Sequence, residues 1–191
     1  MADQIIVYGS STLARMTREI IEESGNDFIG FVDDFREKHE GSNDEVLGTF
    51  NECVNVYNKF KWIIAVGDNS NRAIMANRVR SSKLILANVI HPLAYISSYA
   101  KLGQGNIVFP FAYIGRDVKV GDCNVFMPNS IAGHDLIIED HNFFAPNVSL
   151  AGFTQVRSFT KFQSGTSLYA NEKTNMGQLI AKQIFFNGDH V

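Results

Sequence analysis

Between Ile96 and Leu168 an apolar residue recurs at every sixth position. Ile96, Leu102, Val108, Ile114, Val120, Phe126, Ala132, Ile138, Phe144, Leu150, Val156, Phe162 and Leu168 follow one another without an insertion. The next residue is often small, as in Ser97, Gly103, Gly115, Gly121, Gly133, Ala145 and Ala151. Four residues after each apolar position runs a mostly compact column that includes Ala100, Asn106, Ala112, Asn124, Ser130, Asn142, Thr154 and Thr160. A period of six matches neither the helical period of about 3.6 nor the strand period of 2. It predicts a hexapeptide solenoid, in which short strands wind into a triangular prism and equivalent positions stack. The apolar column fills the axis, and the compact column lets the chain turn at each corner. Three hexads complete a turn, so residue n lies beneath residue n+18 at roughly the 4.8 Å strand spacing. After Leu168 the period fades. Met176, Leu179, Ile180, Ile184 and Phe185 then predict a terminal amphipathic helix over the open end of the prism.

The preceding half has a different rhythm. Gln4 to Tyr8 is a short apolar run ending in Gly9-Ser10-Ser11, and Leu13, Met16, Ile20 and Ile21 follow at helical spacing until Ser24-Gly25-Asn26. Phe28 to Val32 predicts a second strand, ending in Asp33-Asp34. A polar loop from Arg36 to Glu45 and a short helical stretch near Phe50 to Asn58 come next. Trp62 to Val66 is the third strand, ending in Gly67-Asp68-Asn69, and Asn71 to Ser82 is helical. Alternating strands and helices predict a small Rossmann-like α/β domain over residues 1–85. Leu86 to Pro92 links it to the prism, which with its terminal helix makes a second domain over residues 86–191.

The net charge of −3, with 45% hydrophobic and 19% charged residues, describes an ordinary globular chain and gives no reason to expect nucleic acid or an anionic membrane as partner. Cys53 and Cys123 match no zinc or redox spacing, which suits free thiols in a reducing compartment. No basic, apolar leader and no 18-residue apolar run is present, so the expected location is the cytoplasm.

Open α/β sheets bind ligands outside the carboxyl ends of their strands. Here those ends carry Gly9, Ser10 and Ser11, then Asp33 and Asp34, then Gly67, Asp68 and Asn69. Free amides at the first helix start suit a phosphate, and the aspartates suit ribose hydroxyls or a base. The three ends together point to a nucleotide; loss of the second glycine of the dinucleotide fingerprint argues against NAD. In the prism, His134 follows Gly133 at an outward position with Asp135 beside it, an arrangement suited to a general base. Gly152 falls 18 residues on, so its backbone N–H stacks above the histidine as a candidate oxyanion donor. His141 reads as a solvated or interface residue. His91, His134 and His141 do not share a hexad offset, so no metal site is expected.

These motifs give almost the whole chain a resemblance to bacterial nucleotide-sugar acyltransferases related to sialic acid O-acetyltransferases, which are left-handed parallel β-helix enzymes. The resemblance rests on Ile6-Val7-Tyr8-Gly9-Ser10, Gly30-Phe31-Val32-Asp33-Asp34, Ala65-Val66-Gly67-Asp68-Asn69 with Arg72, Ile90-His91-Pro92 and Gly133-His134-Asp135. It is strongest towards the N-acetyltransferases of UDP-, dTDP- or GDP-linked 4-amino-4,6-dideoxy sugars. It implies that the N-terminal domain holds the nucleotide and that His134 deprotonates the sugar amine as it attacks an acyl-coenzyme A thioester. It further implies that Asp135 is the partner carboxylate, that Gly152, Phe143 and Ala170 contact the thioester cofactor, and that the enzyme is a homotrimer. Phe143 stands where the family usually has His, and Met127-Pro128 where it usually has Asn-Thr. Those departures leave the acyl group and the sugar open. O-acylation, an inactive nucleotide-sugar-binding trimer and a metal hydratase are the alternatives.

Overall fold

The computed structural model describes residues 2–35 and 46–181. The first domain is built on a parallel sheet of five strands, β1 (Gln4–Tyr8), β2 (Asp27–Val32), β3 (Val46–Gly48), β4 (Lys61–Ile64) and β5 (Ile85–Leu86), in the order β3-β2-β1-β4-β5. Helices α1 (Thr12–Glu23), α2 (Phe50–Cys53) and α3 (Asn69–Ser81) connect them. β1 lies between β2 and β4, so the strand order reverses there and opens the crevice at which such sheets take ligands. Two short strands, β3 and β5, escape the sequence reading because they pair with the sheet edges through only a few residues. β5 also shortens the expected linker, since Ile85–Leu86 belongs to the first sheet and Val89–Ile90 already to the prism. The predicted polar loop 36–45 lies outside the described residues.

The prism is a left-handed parallel β-helix of two-residue strands on three faces. The first face holds Val89–Ile90, Ile107–Val108, Val125–Phe126, Phe143–Phe144, Lys161–Phe162 and Leu179–Ile180. The second holds Tyr95–Ile96, Tyr113–Ile114, Ile131–Ala132, Ser149–Leu150 and Ser167–Leu168. The third holds Lys101–Leu102, Lys119–Val120, Ile137–Ile138 and Gln155–Val156. Every pairing has the 18-residue offset, for example Ile114 on Ala132 and Val120 on Ile138. The sixth-residue column fills the axis, where Phe126, Phe144 and Phe162 stack with centroids 4.6 and 5.0 Å apart. Each buried ring contributes about 2–3 kcal/mol of apolar transfer.

Three expectations are corrected here. First, the compact column does not turn the chain. It points inward, where Asn106, Asn124 and Asn142 form a ladder, each backbone N–H donating to the side-chain oxygen of the asparagine one coil below. The turn falls one residue earlier: Asp117, Asn129, Asp135, Asn147, Phe153 and Asn171 all hold φ between 55° and 67°. Secondly, the period does not fade at Leu168. Thr174 takes the next axial slot, buried, with its hydroxyl hydrogen-bonded to Thr160 Oγ1 and accepting from the Arg157 N–H. Thirdly, the region containing Met176, Leu179 and Ile180 is not helical: Leu179–Ile180 is a strand paired with Lys161–Phe162. Ile184 and Phe185 of the expected helix lie outside the described residues.

The two domains pack along the first face. Ile5, Val7, Ile20 and Ile21 share a core with the outward side chains Val89, Ile107 and Val125 and with Met127 and Phe143. Arg72, completely buried, donates to the carbonyls of Cys123, Asn142 and Val66 and to Asn69 Oδ1. Burial draws its guanidinium down to a pKa of about 10. Arg80 adds an ion pair with Asp122 at 2.7 Å.

Candidate active site

Two clusters carry chemistry. The first sits at the carboxyl ends of β1 and β2. Gly9 holds φ 112°, and a Cβ there would lie 2.9 Å from the Ala65 carbonyl, so only glycine fits against β4. Ser10 is buried, and its hydroxyl donates to Asp33 Oδ2 at 2.6 Å. The other Asp33 oxygen accepts the Phe35 N–H at 2.9 Å. Ser11 is the N-cap of α1 with an extended backbone and no side-chain capping bond. The first turn of α1 therefore keeps its amides available at the crevice.

The remaining strand-end residues are differently employed. Asp34 accepts from the Tyr8 hydroxyl at 2.5 Å, from the Phe50 N–H at 2.9 Å and from Arg78, whose guanidinium also lies over the Phe50 ring. Burial opposes its ionisation, but hydrogen bonds from Tyr8, Phe50 and Arg78 outweigh it and hold the carboxyl below its ordinary pKa. Asp34 is thus a clamp joining β1, β2, α2 and α3. Asp68 caps α3 by accepting the Asn71 N–H at 2.8 Å. Asn69 is buried against the prism and donates to the Phe159 and Thr160 carbonyls, so it does not face the crevice. Gly67 stays half-buried at the β4 end.

The second cluster lies on the prism edge between the second and third faces. His134 Nδ1 is 2.9 Å from Asp135 Oδ2, and the His134 side chain is 56% exposed. The left-handed turn at Asp135 (φ 55°) brings its carboxylate back to the adjacent ring. In the tautomer that donates Nδ1–H to that carboxylate, Nε2 is the hydrogen-bond acceptor of the ring. Gly152 sits against the ring, and a Cβ there would fall 2.5 Å from Cε1 and 2.7 Å from Nε2. Among the described residues nothing accepts the Gly152 N–H, whereas Ala151 and Phe153 on either side donate to Leu168 and His134 carbonyls. Ala170 continues this column one coil higher and is exposed. Phe153, unforeseen in the sequence reading, stands edge-on to the His134 ring at 5.3 Å.

Phe143 is not part of this cluster. It belongs to the first face, in the interdomain core, with Lys161 Nζ 5.6 Å from its ring. The edge carrying His134 is opposite that face, so within one chain the prism stands between the strand-end cluster and His134. His141 is not solvated: it is buried and stacked on Phe159 with centroids 5.3 Å apart, and among the described residues its Nδ1 has no hydrogen-bond partner. His91 is buried too, its Nδ1 accepting the Leu93 N–H and its Nε2 facing Glu23. Among the described residues no three His, Cys, Asp or Glu side chains gather to hold a metal ion. No described helix is long and apolar enough to cross a membrane. A hollow of about 480 Å³ lined by Thr166, Leu168, Thr174 and Ile180 lies in the last coils of the prism.

Fold and clusters define a two-domain protein, a Rossmann-like domain docked on a hexapeptide-repeat left-handed β-helix. Residues 4–79 match the family model of the PglD N-terminal domain. No curated protein matches the chain by sequence. Several solved structures share the fold over nearly its full length. A point mutant of perosamine N-acetyltransferase from Caulobacter crescentus, in complex with CoA and GDP-perosamine, aligns with a TM-score of 0.76 at 20% identity, over 96% of this chain and 92% of its own. The acetyltransferase domain of PglB from Neisseria gonorrhoeae gives 0.74 at 20%, over 95% and 97%. WeeI from Acinetobacter baumannii gives 0.79 at 14%, over 95% and 90%.

Proposed function

We propose that this protein is a cytoplasmic acyl-CoA-dependent N-acyltransferase. Its acceptor is the 4-amino group of a nucleotide-linked 4-amino-4,6-dideoxy sugar destined for bacterial surface glycans. The observation that carries the reading is His134 held between Asp135 and a glycine whose amide is unclaimed. His134 Nε2 takes a proton from the sugar amine as the nitrogen attacks the thioester carbonyl. The Gly152 N–H receives the developing oxyanion, and Asp135 stabilises the imidazolium through Nδ1. Collapse forms the amide and expels the coenzyme A thiolate, which takes the proton back from His134. Ala170, small and exposed in the same column, leaves a lane for the pantetheine arm. Asp33, oriented by Ser10, receives hydrogen bonds from the nucleoside while the open start of α1, at Ser11, receives phosphate. The PglD-type domain and the CoA and GDP-perosamine named in one structural relative support this assignment.

Because the two clusters occupy opposite sides of one chain, the complete site needs a second copy, which supports a homotrimer with sites between subunits. The first test is thiol release from acyl-CoA donors against UDP-, dTDP- and GDP-linked 4-amino sugars and their 4-hydroxy counterparts, with mass spectrometry of the products. Turnover of an amino sugar, lost in His134→Ala, supports the reading. Turnover of hydroxyl acceptors alone makes the protein an O-acyltransferase, and silence with both ligands bound makes it a binding scaffold. Mixing His134→Ala with Asp33→Ala chains tests the assembly, since shared sites regain activity and separate sites do not.

A further inference from the structure

The edge that carries His134 has one aromatic among its polar corner residues. At the left-handed corner position this column reads Asp117, Asp135, Phe153 and Asn171 in successive coils, with φ of 58°, 55°, 61° and 67°. Aspartate and asparagine tolerate this conformation because their short polar chains bond locally, whereas a phenylalanine there is strained. Phe153 gains little packing in return. It is 53% exposed, and its ring meets His134 at 5.3 Å with an interplanar angle of 88°. Phe111 and Phe159 hold the same turn on the other two edges, at φ of 61° and 64°, so what sets Phe153 apart is a strained, half-exposed ring beside His134 and Gly152.

We infer that Phe153 is a specificity-determining residue, an apolar wall that selects the acyl group of the thioester. The inference rests on the acyltransferase reading above. A carbonyl oxygen on the Gly152 N–H, with its carbon within reach of the nucleophile served by His134 Nε2, places the acyl substituent beside the residue that follows Gly152. That residue is Phe153. The next coil offers only Ala170 and Asn171 in these two columns. The exposed half of the phenyl ring is apolar area that an acyl methylene covers. Full burial of one methylene corresponds to about fourfold in kcat/KM, so the two extra methylenes of butyryl over acetyl, half-buried, give about fourfold together.

The test compares kcat/KM for acetyl-CoA and butyryl-CoA in wild type and in Phe153→Asn, which restores the residue type of the neighbouring coils. The wild type is expected to use butyryl-CoA at least as well as acetyl-CoA. Phe153→Asn should lower the butyryl-to-acetyl ratio about fourfold while its melting temperature is held or raised. If the asparagine chain does not fold, Phe153→Gly, free of strain at φ 61°, carries the same comparison. An unchanged or increased ratio in the folded variant overturns the inference and leaves the acyltransferase reading standing. No turnover of any acyl-CoA by the wild type overturns both.

Discussion

Gly152→Ala separates the chemistry of the prism edge from its stability. The Gly152 backbone lies outside the left-handed range, so alanine adopts it freely, but the new methyl would be 2.5 Å from His134 Cε1 and 2.7 Å from Nε2. The obstructing atoms are the far end of a side chain that is 56% exposed, so the ring swings aside into solvent and the coil stays where it is. The cost to the fold is that of an off-rotamer histidine, about 0.5–1.5 kcal/mol. For a chain of this size that lowers the melting temperature by a few degrees, about 2–4 °C per kcal/mol. The cost to catalysis is far larger. A displacement of about 1 Å between base and reacting atoms removes about 100-fold in rate, and the base itself is worth about 100- to 10,000-fold. The variant should therefore melt within about 5 °C of wild type and lose at least 100-fold in kcat/KM by thiol release. The backbone N–H is retained in alanine, so the loss reports the ring position and not the oxyanion donor. Activity within threefold of wild type would refute the claim that His134 works from its place against Gly152.

Asp33→Ala should weaken nucleotide-sugar binding about tenfold or more by calorimetry and leave coenzyme A affinity unchanged; equal loss of both would mean that the strand-end assignment is wrong. Arg72→Leu leaves the Cys123 and Val66 carbonyls and Asn69 Oδ1 without their donor, while the Asn142 carbonyl keeps the Val125 N–H. At about 1–3 kcal/mol for each orphaned group, it should destabilise the chain by at least about 3 kcal/mol in urea unfolding. His141 is held below its ordinary pKa by burial, with Arg72 and Arg80 opposing and Asp140 and Asp122 favouring its charge. The unfolded chain then binds the proton more readily, so native stability is lost as pH falls from about 6.5 through the lowered value. His141→Phe should raise the melting temperature most near pH 5 and least near pH 8, and a gain independent of pH would show that His141 does not titrate in this way.

The period of six was legible because a β-helix repeats its backbone exactly where the sequence repeats its apolar residue. Its end was misread because Thr174 fills the axial slot with a hydroxyl satisfied by Thr160 and the Arg157 N–H, so the apolar column lapses for one hexad before Ile180 resumes it. The corners were misplaced because residues as unlike as Asp117, Cys123, His141 and Phe159 all adopt the left-handed turn. No single composition marks them. At the strand ends, the sequence presents Asp33 and Asp34 as equals, and only long-range partners tell them apart. Tyr8, Arg78 and the Phe50 N–H come from three other segments to occupy Asp34.

Phe143 shows what the repeat does settle when it is applied strictly. His134, Gly152 and Ala170 differ by multiples of 18 and share one edge, whereas Phe143 is nine residues from His134 and Gly152, half a turn of the prism. Half a turn from the edge between the second and third faces is the first face, where Phe143 packs against the N-terminal domain. The same arithmetic puts that whole domain opposite His134, because it docks on Val89, Ile107 and Val125 of the first face. If Asp33 holds the nucleotide as proposed, the packed axis of Phe126, Phe144 and Phe162 stands between it and the histidine of its own chain. On the proposed function, the partition of binding and base between two copies follows from the register of the repeat, and with it the proposed role of the exposed edge formed by His134, Gly152 and Phe153.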